Sequence, residues 1–253
     1  MYESLGFWII AVFAAVTVGL GKGGLPVIAS LAVPSLSLFM SPITAAGLLL
    51  PVYIISDIFA LFFYRKDFDI KVLKISIIGM TIGVLIGWFT ANIVIEWVVT
   101  FIIGLIGVIF AINELFKSSI KKTKLKKINQ HKGIFWCLIS GFTSFISHNG
   151  GPPWQIFVIP LGLSKVVYVG SSVIAFSYVN AIKVIPYFFL GQLNFESIKV
   201  ASFLLIPASF AVYLGYFVVK VIPEKLFYLL VSWALLIISF KLIYDGLILS
   251  SWV

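Results

Sequence analysis

Charged side chains make up only 11% of the 253 residues, less than half the roughly 25% of an ordinary soluble domain. With 61% hydrophobic residues, a fold of this size cannot hide all its apolar surface from water. This balance excludes a water-soluble enzyme and a disordered tail protein. The one cysteine, Cys137, permits no internal disulfide, which excludes a disulfide scaffold. Two histidines, with no His-x-x-x-His or Glu-x-x-His spacing, offer no metal cluster. No Gly-x4-Gly-Lys-Ser/Thr loop offers a nucleotide site, so no cofactor is expected. Acidic residues number 9 against 18 Lys and Arg, a formal charge of +9. Most of those basic residues sit between apolar runs, where they mark membrane topology rather than a nucleic-acid partner. What is present is the composition of an integral membrane protein, with a mean hydropathy of +1.15.

The apolar residues come in long, continuous runs, and a bilayer-crossing helix needs about 20 of them. Leu25 to Tyr64 holds one charge, Asp57, and Ile75 to Asn113 holds one, Glu96. Gly133 to Ser164 contains no Lys, Arg, Asp or Glu, and Val166 to Phe195 contains only Lys183. Continuous runs read as helices, not as the alternating strands of a membrane barrel. Glycine, proline and charge divide the first half into segments near 5–20, 25–40, 42–64, 72–90 and 93–116. The second half divides near 134–147, 154–163, 165–190, 197–220 and 224–249. The first two segments of each half are short for full spans. Ser4 to Leu20 has the length of a signal peptide but no basic residue before it, and a related segment recurs mid-chain.

The lysine-rich stretch 117–132 belongs in the cytoplasm, as do Arg65, Lys66, Lys71 and Lys74. If each short pair returns to the side it entered, Lys165, Lys220 and Lys225 also fall inside and both termini lie outside. The expected protein is an all-α integral protein of the cell membrane, with two membrane repeats of opposed orientation, 1–116 and 133–253. The basic linker 117–132 joins them. Each repeat is expected to hold a short helix pair interrupted by a Gly-rich loop, plus three transmembrane helices.

Matching residues support the repeat. Gly23, Gly24 and Pro26 correspond to Gly150, Gly151 and Pro153 at an offset of 127. Gly47 falls on Gly170 and Asp57 on Asn180 at an offset of 123. Gly87 and Glu96 fall on Gly215 and Glu224 at an offset of 128. Inverted repeats with interrupted helices are the build of many secondary transporters. Gly79, Gly83 and Gly87 form a small-residue stripe, echoed by Ala211 and Gly215, of the kind that lets helices pack closely in lipid.

Two loops break the apolar runs: Gly21-Lys22-Gly23-Gly24-Leu25-Pro26 and His148-Asn149-Gly150-Gly151-Pro152-Pro153. Irregular backbone at membrane depth needs partners that hydrocarbon does not supply, so such loops line protein or a wet cavity. Each loop opens a following helix, whose N-terminus carries about half a positive charge. Two such termini with Lys22 would make an anion site, which assigns substrate binding to Lys22, Gly23, Gly24, Leu25, Pro26, His148, Asn149, Gly150, Gly151 and Pro153. The plainer alternative is a pair of surface turns with Lys22 solvated. Asp57 and Lys183 lie well inside their runs, where a charge costs about 2.5–3.5 kcal/mol, so each should face a cavity or a partner. Asn180 is three residues before Lys183 and shares its helical face. Asp57 is expected to pair with Lys22 or Lys183, or to take up a proton during a transport cycle; a static ion pair between helices is the alternative. Glu96 and Glu224 read as helix N-terminal carboxylates, Lys241 and Asp245 as a one-turn pair, and His131 as a surface residue.

Gly19 to Pro26, Pro34, the Pro42 to Gly47 stretch and the Tyr64-Arg65-Lys66-Asp67-Phe68-Asp69 loop together resemble the sulfite exporter TauE/SafE family. The second half follows the same plan, from Gly141 through Gly150-Gly151 to Asn194-Phe195-Glu196. The resemblance implies a prokaryotic-type permease for small sulfur-containing anions such as sulfite, thiosulfate or organosulfonates. The partners expected are that anion, the lipid bilayer, and a proton or sodium as co-transported ion; oligomeric state is left open. Two other classes compete with a transporter. An intramembrane enzyme would need a nucleophile with a base, paired carboxylates or a metal, none of which the sequence places together. A membrane sensor would need no polar loops at mid-depth. A permease for another small anion, such as a carboxylate, is the nearest alternative.

Overall fold

The computed structural model describes residues 4–25, 28–91, 93–120 and 127–250, with the side chains of all these except 42, 43, 96, 117–120, 249 and 250. Pro26 and residues 121–126 of the basic linker therefore lie outside the described residues. Within them the chain is helical and has no strand. In order come α1 (Leu5–Gly23), a 3-10 turn (Ile28–Leu31), α2 (Ala32–Leu36), α3 (Pro42–Tyr64), α4 (Ile70–Thr90) and α5 (Glu96–Ile120). The second half holds α6 (Gln130–Ser147), α7 (Gly151–Val158), a 3-10 turn (Ile159–Leu161), α8 (Lys165–Phe189), α9 (Phe195–Val221) and α10 (Glu224–Ser250). Among the described residues seven helices, α1, α3, α4, α5, α8, α9 and α10, are long and apolar enough to cross a bilayer. Large exposed side chains such as Phe89, Ile109, Phe203, Ile206, Trp233 and Ile237 are apolar, as a surface facing hydrocarbon requires.

Short polar side chains set the helix starts. Ser4 accepts the Phe7 amide (3.2 Å) and Ser41, followed by Pro42, accepts that of Thr44 (3.2 Å). Asp69 Oδ1 accepts the amides of Lys71 (2.8 Å) and Val72 (2.9 Å) at the start of α4. Asn194 and Ser197 form a reciprocal capping box on α9. The segment expected near 25–40 divides into a 3-10 turn and the five-residue α2. Ser35 and Ser37 there bond back to the carbonyls of Leu31 (2.6 Å) and Val33 (2.9 Å), local bonds that compete with a longer helix.

The chain forms two compact units, each taking helices from both halves of the sequence. The first comprises Met1–Leu73 and Val166–Ile222. In it α1 runs parallel to α9, with Gly19 against Ala208 and Ala211 and Gly23 against Gly215. The Phe63 ring of α3 stacks on Tyr216 of α9 at 4.4 Å. Helices α3 and α8 run antiparallel: Gly47 meets the backbone of Gln192 beyond the end of α8, and Gly170 meets that of Asp67 beyond the end of α3. Ser171 of α8 also accepts the Asp69 amide (2.9 Å).

The second unit comprises Lys74–Lys165 and Pro223–Val253. Its α4 runs parallel to α6, and the predicted small-residue stripe lies in the contact: Gly79 faces Cys137, Gly83 faces Leu138 and Phe142, and Gly87 faces Phe145. Backbone atoms of Leu138 and Phe142 occupy the space where a Cβ on Gly83 would sit. Helices α5 and α10 are antiparallel, with Gly104 and Gly107 packed on Ile243 and Ser239 and Gly246 packed on Phe101.

Candidate functional site

Helix α1 runs further than the glycines suggest. Gly21 and Gly23 stay helical, and Ala29 and Gly215 press where a Cβ on them would sit; Gly24, at φ 133°, makes the break. Lys22 therefore sits in the last turn of α1 rather than in a loop. That turn carries the negative end of the helix dipole, which favours a cation. Lys22 is only 7% exposed, which disposes of a solvated surface turn. Its Nζ lies 2.6 Å from Asp57 Oδ1 and 5.4 Å above the Tyr53 ring.

Helix α3 supplies Tyr53 and Asp57 one turn apart, and α8 supplies Asn180, Lys183 and Tyr187 along one face. Asn180 Nδ2 donates to Asp57 Oδ2 at 2.7 Å, so the carboxylate has a partner on each oxygen. The predicted pairing of Asp57 with a lysine is thus with Lys22, and Asn180 completes the contact. Lys183 is wholly buried, its Nζ 5.7 Å from the centre of the Tyr187 ring. Ser56, beside Asp57 in the chain, is also wholly buried, and its hydroxyl holds no hydrogen bond.

The broken backbone beyond Lys22 is closed by tyrosines from α3. Tyr64 donates to the Gly23 carbonyl at 2.7 Å and Tyr53 to that of Ala29 at 3.0 Å. Leu25 is half-buried and its amide bonds the Leu20 carbonyl (3.1 Å). The next element is a four-residue 3-10 turn, not a helix that could aim a row of amides at an anion. The first loop thus offers Lys22 but not the expected helix N-terminus.

The second loop belongs to the other unit and solves the same problem with hydroxyls from α6. Ser140 donates to the Gly150 carbonyl (2.7 Å) and Thr143 to that of Asn149 (3.2 Å). His148 ends α6 in the left-handed conformation at φ 55° and is half-buried. Asn149 is buried, and its amide group donates to Ser147 Oγ (3.1 Å). Helix α7 then opens on Gly151-Pro152-Pro153; the two prolines carry no N–H, so Gly151 alone among the three can donate. Trp154 donates its indole N–H to Ser76 (3.1 Å), and buried Gln155 keeps its side-chain carbonyl without a partner. Cys137 also donates to Ser76 (3.6 Å).

Tyr53, Ser140, Thr143 and Gln155 are polar groups that the sequence motifs do not single out, and Tyr64 enters only as the start of a loop motif. For the tyrosines a signal existed: they lie four residues before and seven after Asp57, on its helical face. Among the remaining expectations, Lys241 pairs with Asp245, His131 is exposed, and α10 opens on Glu224 as α5 does on Glu96. No group of three or more His, Cys, Asp or Glu that could hold a metal occurs among the described residues.

Apolar spans closing over a lysine–carboxylate pair, with a second lysine beside it, define a multi-pass membrane protein with a polar interior centre. Polar groups at such depth mark substrate or ion pathways. The chain belongs to the sulfite exporter TauE/SafE family, whose sequence model matches residues 6–242. No curated protein and no solved structure matches it.

Proposed function

We propose that this protein is a secondary transporter carrying a small sulfur-containing anion, such as sulfite, thiosulfate or an organosulfonate, across the cell membrane by alternating access. The observation that carries the reading is the Lys22–Asp57 pair with Asn180 and fully buried Lys183, enclosed by helices of spanning length. Burying a charge among apolar helices is costly unless it is paired or used. Lys22 and Lys183 offer the attraction an anion needs. The family supports the substrate class.

The two halves act as inverted repeats in this reading. The antiparallel pairs α3–α8 and α5–α10, and the parallel pairs α1–α9 and α4–α6, are what a twofold exchange of halves would produce. Within its own unit, the loop from His148 to Pro153 is the counterpart of the break after Lys22 in this reading. The basic linker is cytoplasmic and both termini are outside. Energy comes from an ion or substrate gradient. A negative interior drives anion efflux at about 2.3 kcal/mol per charge per 100 mV.

The test is flux into liposomes holding the purified protein, with sulfite, thiosulfate, methanesulfonate and acetate compared. Saturable flux of the sulfur anions, falling at least about tenfold with Lys22→Ala, is the expected result. Flux no faster than in protein-free liposomes overturns the transporter reading, and flux of acetate alone overturns the substrate class.

A further inference from the structure

The C-terminal ends of α3 and α9 meet on one side of the first unit, and aromatic rings run across the join. Phe62 and Phe63 lie 5.8 Å apart, Phe63 stacks on Tyr216, and Phe217 packs against Tyr216 (5.6 Å) and Tyr213 (4.5 Å). Two cations stand over these rings. The Arg65 guanidinium lies 5.4 Å from the centre of the Phe62 ring, and Lys220 Nζ 4.3 Å from that of Tyr216. Arg65 is the first residue after α3, and Lys220 is the last but one of α9. Helices of about 35 and 40 Å outrun a hydrocarbon core roughly 30 Å thick, so both cations reach headgroup level.

Arg65, Lys66, Lys71 and Lys220 are all exposed. The acids beside them answer only part of this charge. Asp67 and Asp69 are half-buried, and Asp69 is taken up by the amides of Lys71 and Val72. Arg65 and Lys66 form no ion pair among the described residues. Just inside the cations the same two helices turn apolar side chains outward. Phe62 is 67% exposed, and Leu214 and Phe217 are exposed as well. The patch is therefore cationic at the helix ends and apolar where the hydrocarbon begins. A soluble anion would use only the first part and an apolar helix only the second. A phospholipid uses both.

We propose that this patch is a binding site for an anionic phospholipid. Arg65 and Lys220 hold its phosphate, and its acyl chains lie along Phe62, Leu214 and Phe217. Because α9 runs parallel to α1, the topology proposed above turns this end toward the cytoplasmic leaflet, which carries the anionic lipids.

The experiment is native mass spectrometry of the purified protein, released from micelles holding equal amounts of phosphatidylglycerol and phosphatidylcholine with matched acyl chains. Phosphatidylglycerol is expected to be the lipid retained, and less of it as the ammonium acetate concentration rises. In a phosphatidylglycerol titration, Arg65→Gln and Lys220→Gln should each weaken binding about fivefold. Lys199→Gln removes an exposed lysine at the opposite end of α9 and should leave binding unchanged. Equal retention of the two lipids by the unaltered protein overturns the proposal. So does a loss with Lys199→Gln as large as with Arg65→Gln or Lys220→Gln, because it marks attraction to the whole protein instead of this patch. Displacement of the lipid by an equal concentration of inorganic phosphate overturns the choice of a lipid as occupant.

Discussion

Replacing Lys22 with methionine keeps most of the side-chain volume and deletes the charge, which isolates the electrostatic part of the contact with Asp57. The carboxylate, 3% exposed, then lies buried without its ion-pair partner and keeps the Asn180 hydrogen bond. Breaking a buried pair from one side costs about 3–5 kcal/mol. The surviving 2.7 Å bond from Asn180 puts the loss at the lower end, near 3 kcal/mol. For a chain of this length each kcal/mol moves the melting temperature by about 2–4 °C, so Lys22→Met should melt roughly 6–12 °C lower. Asp57→Asn leaves the opposite orphan, Lys22, whose position at the C-terminal end of α1 returns about 0.5–1 kcal/mol through the helix dipole. Its loss should therefore be the smaller of the two. The double variant removes both charges and should recover most of the deficit, a coupling of about 2–3 kcal/mol. Thermal melting in detergent micelles, followed by intrinsic fluorescence of the seven tryptophans, reads all four proteins. Single-variant losses that simply add in the double variant, or a Lys22→Met protein that melts with the parent, would refute a buried, mutually dependent pair.

Tyr64→Phe removes the hydroxyl that closes the Gly23 carbonyl at 2.7 Å; it should cost about 1–3 kcal/mol, with faster amide hydrogen exchange over residues 20–25. Gly83→Val drives its side chain into the backbone of Leu138, so the melting temperature should fall by more than for Gly191→Ala, where a Cβ meets nothing within 4 Å and only the φ of 69° opposes it at about 1–2 kcal/mol. Ser76→Ala takes away the acceptor of the Trp154 indole N–H. A shift in tryptophan emission, with a loss of about 1–3 kcal/mol, is the expected readout, and unchanged emission would contradict that bond.

Much of this was legible in the sequence because lipid is an unforgiving solvent. Spans follow from uninterrupted apolar runs, and an isolated Asp57 in such a run has to find a partner. The stripe of Gly79, Gly83 and Gly87 announced a close helix contact, and α6 fills it. Where α1 ends was harder to read. Glycine signals both a turn and a close approach, and Gly21 and Gly23 serve the second purpose while Gly24 alone serves the first. The backbone geometry at the two loops was hard to read for a related reason. Pro152 and Pro153 suit the start of α7, yet they remove the amides that an anion would use. Hydroxyl closure of the two backbone breaks depends on tertiary contacts such as Tyr64 to Gly23, 41 residues apart, which no local pattern encodes.

Asp57 and Asn180, matched in the proposed repeat, touch each other. Identical residues there would fail in either direction. Two aspartates at that separation would have to share a single proton, and two asparagines would leave the Lys22 ammonium unanswered. At the meeting point of the proposed matching segments, unlike residues therefore pack at lower cost than like ones. A chain rebuilt with perfectly matched halves would carry its fault at this crossing.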